Sequence, residues 1–186
     1  MIPGGARVRG LLVGRFQPFH LGHLGVVRAI RSAHPERGLL LGIGSAQASF
    51  TPDNPFTAGE RFEMIERALA EARIDGGRPV PLTDIDRHAL WVSHVVSLLP
   101  PFETVYTNNP LTRTLFERAG YDVESPPWVD RARFEGAKVR AAMVAGTRWR
   151  ALVPPSVATY LDELGAVDRI RLLVEGHPRK ARADGR

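Results

Sequence analysis

The sequence predicts an α/β fold: a doubly wound, mostly parallel sheet with helices on both faces, followed by a helical C-terminal segment. Strand-like and helix-like patterns alternate for most of the 186 residues. The strand-like runs are continuously apolar rather than alternating, as expected of strands covered on both faces. Beyond about residue 137 the pattern is helical alone.

Residues 8–13 read as a buried first strand, after which Leu21, Leu24, Val27 and Ile30 recur at helical spacing. Residues 39–44 form a second buried strand, ended by glycine and small side chains. Thr57, with Glu60 three residues on, makes a capping box for a helix that turns Phe62, Ile65 and Leu69 inward. Residues 80–85 predict a third strand, with Pro81 near its start, where a missing donor costs least, and Asp84 at its end. A helix over 88–98 stops at Pro100-Pro101. Residues 104–107 give a fourth strand, 111–119 a helix closed by Gly120, and 121–124 a short fifth strand. Helices over 137–145, 154–164 and roughly 167–174 are expected to pack over one end of the strands. The order of these units is Rossmann-like.

Residues 1–175 read as one domain and 176–186 as a basic, mobile tail. The absence of cysteine excludes disulfide frameworks and thiolate zinc sites. No run approaches the ~20 apolar residues of a membrane span, and residues 1–7 are too short and polar for a signal peptide, so the expected compartment is the cytoplasm. The net charge of +5 includes the tail and accompanies no nucleic-acid recognition motif, so no nucleic-acid partner is expected. Lys138 and Lys180 are the only lysines; the remaining cations are arginines, which suit bidentate phosphate contact.

The densest chemistry lies in Gly14-Arg15-Phe16-Gln17-Pro18-Phe19-His20-Leu21-Gly22-His23, where the first strand hands over to a helix. That turn offers a phosphate free backbone N–H groups and a positive helix end. Gly14 and Gly22 permit close backbone approach, Pro18 fixes the turn, and Arg15 adds a permanent cation. His20 and His23 stand three apart and share one face of a helical turn. With no third ligand evident, they read as phosphate ligands, not a metal pair. Nucleotidyl transfer needs this kind of positioning and charge stabilisation, with no covalent nucleophile.

This stretch resembles the His-x-Gly-His signature of the nucleotidyltransferase superfamily, in the form found in archaeal nicotinamide-mononucleotide adenylyltransferases. The likeness continues through residues 42–47, Asn54-Pro55-Phe56-Thr57-Ala58-Gly59-Glu60-Arg61, residues 88–94, Pro100-Pro101-Phe102 and residues 108–111, spanning about residues 8–165. The resemblance implies adenylyl transfer from ATP to nicotinamide mononucleotide (NMN), giving NAD and pyrophosphate. It further implies Mg2+ on the triphosphate, direct in-line displacement, and a homo-oligomer of hexameric type. By motif match His20, His23, Arg15 and Arg140 are catalytic. Gly14, Phe16 and Asn109 join them in binding ATP, while Phe16, Gln17, Ser45, Ala46, Asp84, His88 and Trp91 bind NMN. Trp91 offers a ring to stack on nicotinamide, although its spacing with Val95 and Leu98 also fits a core residue. Asp84, Ser45-Ala46 and Asn109 follow strands, at the sheet edge where ligands bind, and Asp84 also reads as a helix N-cap. Thr57, Glu60 and Arg61 read as organisers of a loop and helix start.

The sequence departs from the resemblance at Glu135 and Ala137, where relatives carry serine and threonine, and at Phe50, where they often carry histidine. Loss of two hydroxyls removes ~1 kcal/mol each of phosphate contact, and a nearby carboxylate repels phosphate unless Lys138 offsets it. Two other readings stay open from the residues alone. One is a transferase acting on another phosphate acceptor, such as pantetheine phosphate, or using CTP. The other is a nucleotide-binding module with little activity.

Overall fold

The computed structural model of the chain describes residues 9–127, 129, 130 and 133–176. Five parallel strands lie in the order β3-β2-β1-β4-β5: β1 (Arg9–Gly14), β2 (Gly38–Ile43), β3 (Gly77–Pro81), β4 (Thr104–Tyr106) and β5 (Asp122–Glu124). Between them run α1 (Leu21–Ala33), α2 (Ala58–Glu71), α3 (His88–Leu98) and α4 (Pro110–Arg118); α5 (Gly136–Val144), α6 (Pro155–Glu163) and α7 (Ala166–Gly176) follow. The expected doubly wound α/β fold is the observed one. Val8 and the tail from residue 177 lie outside the described residues.

The continuous apolar strands are explained by two cores. Alternate side chains of a strand point to opposite faces. Leu12, Leu39, Leu41 and Ile43 join a core with α1, α2 and α5–α7, whereas Leu11, Leu40 and Val105 join Val95 and Phe116 from α3 and α4. The C-terminal helices share the core of α1 and α2, with α6 packed on α2, and α5 and α7 also reach the loops that follow β1 and β2, where Arg140 bonds Gln17 and Pro52 and Arg169 bonds Pro55. Arg67 of α2 binds Glu163 at 3.0 Å, and Arg169 of α7 binds Glu60 at 2.8 Å.

Most element limits differ from expectation by a residue or two, as fraying ends do. The third strand is a larger correction. It begins at Gly77 and ends at Pro81, so Pro81 closes it and Asp84 lies in the loop beyond. β3 is an edge strand, which accommodates Pro79 and Pro81, and Leu82 continues toward β2 with its N–H donating to Ile43 O at 2.9 Å. The N-cap of α3 is Arg87, not Asp84. A 3-10 turn at Trp149–Leu152 was not expected from sequence.

Strand order reverses between β1 and β4. In an open parallel sheet that switch point opens a crevice at the C-terminal ends of the strands. The turns after β1 and β4 diverge there, and they carry the residues singled out from the sequence.

Candidate active site

His20 is the N-cap of α1, and His23 is its N3 residue. The His23 N–H donates to His20 Nδ1 and the His20 N–H donates to His23 Nδ1, both at 3.3 Å. This is a capping box made by two imidazoles. Their rings stack at 3.6 Å, with His23 also edge-on to Phe16 at 4.9 Å. Burial lowers the His20 pKa to about 4; burial and then the charge of His20 hold His23 well below its usual value. Both rings are neutral at pH 7, and each Nδ1 accepts, so each proton resides on Nε2. Neither Nε2 has a hydrogen-bond partner among the described residues. Two imidazole N–H donors thus stand at the helix end where an anion is favoured.

The first turn is held from behind. Gln17 is buried and pairs with the Phe56 backbone in both directions: its Nε2 donates to Phe56 O at 2.9 Å, and its Oε1 accepts from Phe56 N at 3.0 Å. Its amide is engaged in the fold. Gly14 ends β1, and its carbonyl accepts from Gly44 N at 2.9 Å. Gly22 leaves room where a Cβ would come 2.7 Å from Phe134 Cβ and 3.1 Å from the His20 ring. Phe16 is buried at φ 52°, its ring turned to His23.

Three arginines surround this turn. Arg15 is exposed at its mouth. Arg61 is fully buried and reaches the carbonyls of Arg15, Gly44 and Ser45 at 3.0, 2.8 and 3.0 Å, which joins the loops after β1 and β2. The organising role expected of Arg61 is what the structure shows, together with the Thr57–Glu60 capping box. Arg140 donates to Pro52 O at 3.0 Å, Gln17 O at 2.8 Å and Asp53 Oδ1 at 3.2 Å. Burial first, and then repulsion from Arg15, lower the pKa of Arg61 to about 10 and shift Arg140 the same way. The action of Arg15 on both guanidinium groups marks one cationic region. Asp53 had no sequence signal as a partner for Arg140, because the contact joins α5 to the loop after β2, far away along the chain.

Beside His23 a cavity of about 470 Å3 runs along the β1/β4 crevice, lined by Gly14, Phe16, Tyr106, Thr107, Asn108 and Asn109 among others. Asn109 caps α4, its Oδ1 accepting from Thr112 N at 3.0 Å. A second cavity, about 380 Å3, lies between the loop after β3 and helices α3 and α4, lined by Asp84, Ile85, Asp86, His88, Trp91, Leu111, Thr112 and Leu115. Asp84 Oδ2 accepts from Ser45 Oγ at 2.6 Å, and the Asp84 N–H donates to the Gln47 side chain at 3.0 Å. The Ala46 N–H donates to Leu82 O at 2.9 Å, so that residue stays beside the same loop. Trp91 is partly exposed and edge-on to Phe116 at 5.6 Å; it both caps a core and walls this cavity. A larger cavity, about 540 Å3, opens behind Arg140 and is walled mainly by apolar side chains of α5 and α7.

The structure brings His20, His23, Arg15 and Arg140 around one turn, and places Asp84, His88 and Trp91 around a separate cavity, with Ser45 bonded to Asp84. Gln47 and Asp86, not singled out from sequence, line or hold that second cavity. Glu135 caps α5 without a side-chain cap bond and pairs with Lys138 at 3.6 Å. Among the described residues no group of three His, Cys, Asp or Glu side chains is placed to hold a metal ion.

The cytidylyltransferase-like family model matches residues 11–142. The chain is 46% identical over 163 residues to the nicotinamide-nucleotide adenylyltransferase of Methanolobus tindarius, covering 88% of this chain and 92% of that one. It is 48% identical over 165 residues to the enzyme of that name from Thermoplasma acidophilum, covering 89% and 91%. Among solved structures it is similar to a bifunctional NMN adenylyltransferase/ADP ribose pyrophosphatase from Francisella tularensis, with TM-score 0.73 at 22% identity; the match covers 92% of this chain and 54% of that one. A second structure of that Francisella protein, complexed with AMP and manganese, matches with TM-score 0.72 at 20% identity, covering 91% of this chain and 52% of that one. The histidine turn, the crevice at the sheet's switch point and these likenesses agree: the chain belongs to the cytidylyltransferase-like family of nucleotidyltransferases and, within it, to the nicotinamide-nucleotide adenylyltransferases.

Proposed function

We propose that this chain transfers the adenylyl group of ATP to nicotinamide mononucleotide, in the cytoplasm, releasing NAD and pyrophosphate. The observation that carries the reading is the reciprocal His20–His23 cap, which fixes both Nε2–H donors at the N-terminus of α1. The mononucleotide's 5′-phosphate oxygen attacks the α-phosphorus of ATP, and the bond from that phosphorus to the bridging oxygen of pyrophosphate breaks. Charge accumulates on the non-bridging and leaving oxygens. Preorganised donors at those positions are worth about 10²–10³ in rate each. His20 and His23 supply them as neutral donors, and Arg15 adds charge. Arg140 keeps N–H donors beyond its three bonds, so it contacts phosphate without leaving Gln17.

The adenosine half occupies the crevice by Gly14 and Asn109, and the nicotinamide ring lies against Trp91 in the cavity beside Asp84 and His88. A magnesium ion would accompany ATP as the counter-ion of its phosphates, beside the cationic Arg15 and Arg140.

The test is direct. The purified chain with MgATP and NMN forms NAD and releases pyrophosphate in equal amounts. CTP, or pantetheine phosphate as acceptor, gives far less product. Turnover with another acceptor beside no NAD refutes this reading, as does tight ATP binding with no pyrophosphate release.

A further inference from the structure

The cleft is electrically divided. Arg15, Arg61 and Arg140 gather around the first turn: Arg61 and Arg140 donate to its carbonyls, and the charge of Arg15 acts against both guanidinium groups, so phosphates meet positive charge there. The cavity with Trp91 has the opposite character. Its lining includes two carboxylates, Asp84 and Asp86, and no lysine or arginine. Asp84 is partly balanced: Ser45 Oγ donates to it at 2.6 Å, and it acts favourably on the Arg61 guanidinium. Asp86 is exposed, and no ion pair to it is formed among the described residues.

We infer that Asp86, assisted by Asp84, makes this cavity select a pyridine ring bearing an uncharged amide over one bearing a carboxylate. The inference rests on the proposed placement of the pyridine ring against Trp91. A pyridinium carrying a carboxamide brings a net charge of about +1 into the cavity; the same ring carrying a carboxylate brings about zero. Each cavity carboxylate therefore favours the amide by the interaction of one unit charge, whichever way the ring is turned. At a solvent-exposed site and about 4 Å that interaction is worth a factor of about five. The aromatic wall does not discriminate, because a π face attracts either pyridinium. Leu111 and Leu115 offer the carboxylate no donor.

The experiment compares kcat/KM for nicotinamide mononucleotide and nicotinate mononucleotide, each with MgATP, on the full chain. The wild type favours the amide by at least about fivefold. Asp86→Asn narrows that ratio by about fivefold, and Asp86→Glu retains it. Raising the salt from 0.05 to about 0.5 M narrows the wild-type ratio more than that of Asp86→Asn, since screening acts on the same charge. Equal use of both substrates by the wild type overturns the inference. So does an unchanged ratio in Asp86→Asn and Asp84→Asn alike. Those failures differ from failure of the proposed function, in which neither mononucleotide yields a dinucleotide. Asp86 is an exposed loop residue, so its variants keep the fold, and the thermal midpoint of each verifies this.

Discussion

Helices α1 and α5 both begin beside the first turn, yet their N-termini are built in opposite ways. At α1 two side chains satisfy the first backbone groups reciprocally and still keep a donor each for a ligand. At α5 the N-cap Glu135 makes no cap bond; the helix begins at Gly136, where a Cβ would sit 3.1 Å from Gln17 O and 3.3 Å from Arg140. Its leading N–H groups have no side-chain cap. The first terminus is rigid because structure and chemistry use the two nitrogens of the same imidazoles. The second offers only backbone N–H groups ahead of Arg140, so the helix start does not depend on the side chains of Glu135 and Ala137.

The sharpest test of that contrast is at His23. His23→Ala removes one Nε2–H donor and lowers kcat about 10²–10³-fold, with a much smaller change in KM. His23→Asn leaves an acceptor for the His20 N–H and loses the same rate while holding the thermal midpoint closer to wild type. Wild-type turnover in either variant, measured by single-turnover pyrophosphate release, makes His23 a cap alone.

The burial that keeps both imidazoles neutral also has a pH signature. His20 is held at about 4 in the folded chain, against 6.5 when exposed. Between those values the unfolded chain binds the extra proton, so stability is complete above pH 6.5 and declines as pH falls toward 4. The decline attributable to His20 amounts to at most about 3 kcal/mol. Asn is also a good N-cap, so His20→Asn removes one of the two lowered imidazoles and makes the fall of the denaturation midpoint over that window shallower, the remainder belonging to His23. An equal slope in wild type and variant places the proton uptake elsewhere.

Gly22 probes how tightly the two termini are pressed together. A Cβ there meets Phe134, just ahead of α5, and the His20 ring at once. Overpacking costs about 1–3 kcal/mol, and alanine's helix preference returns about 1. Gly22→Ala therefore lowers stability by about 1 kcal/mol and displaces the His20 ring, lowering kcat about tenfold. A raised melting temperature with unchanged kcat shows that the contact relaxes freely.

How much of this was legible follows from distance along the chain. The first turn is local, and ten consecutive residues carried its glycines, proline and histidines. The reciprocal cap is a matter of spacing, although neither the tautomers nor the stacking could be read before the rings were placed. The resemblance implies ligand roles for Gln17 and Arg140, and what it leaves out is that their polar atoms also bind Phe56, Pro52 and Asp53, contacts made by chain segments brought together only by folding. The third strand was displaced because Leu82 is buried like a strand residue while two prolines interrupt the edge ladder. Asp86 gave no signal because its meaning comes from Trp91 and Asp84 across a cavity.

The smallest effect belongs to the permissive terminus. Glu135 and Lys138 are both half exposed and paired at 3.6 Å, so the carboxylate's repulsion of phosphate is screened by solvent and partly cancelled by the ammonium. Glu135→Ser removes that repulsion but introduces a hydroxyl that caps an N–H which a phosphate oxygen would otherwise accept. The two changes oppose each other, and KM for ATP falls only about two- to threefold. Glu135→Gln separates them, since it removes the charge without a short capping hydroxyl. The expected order of ATP affinity is Gln at least equal to Ser, and both above the wild type, with the spread closing in high salt. An unchanged KM in both variants means that the carboxylate does not reach the triphosphate. A fall much larger than threefold in the Ser variant alone means that the cap position of α5 binds phosphate through its side chain, as Arg140 one turn on does in the proposed reaction, and the contrast with the start of α1 then disappears.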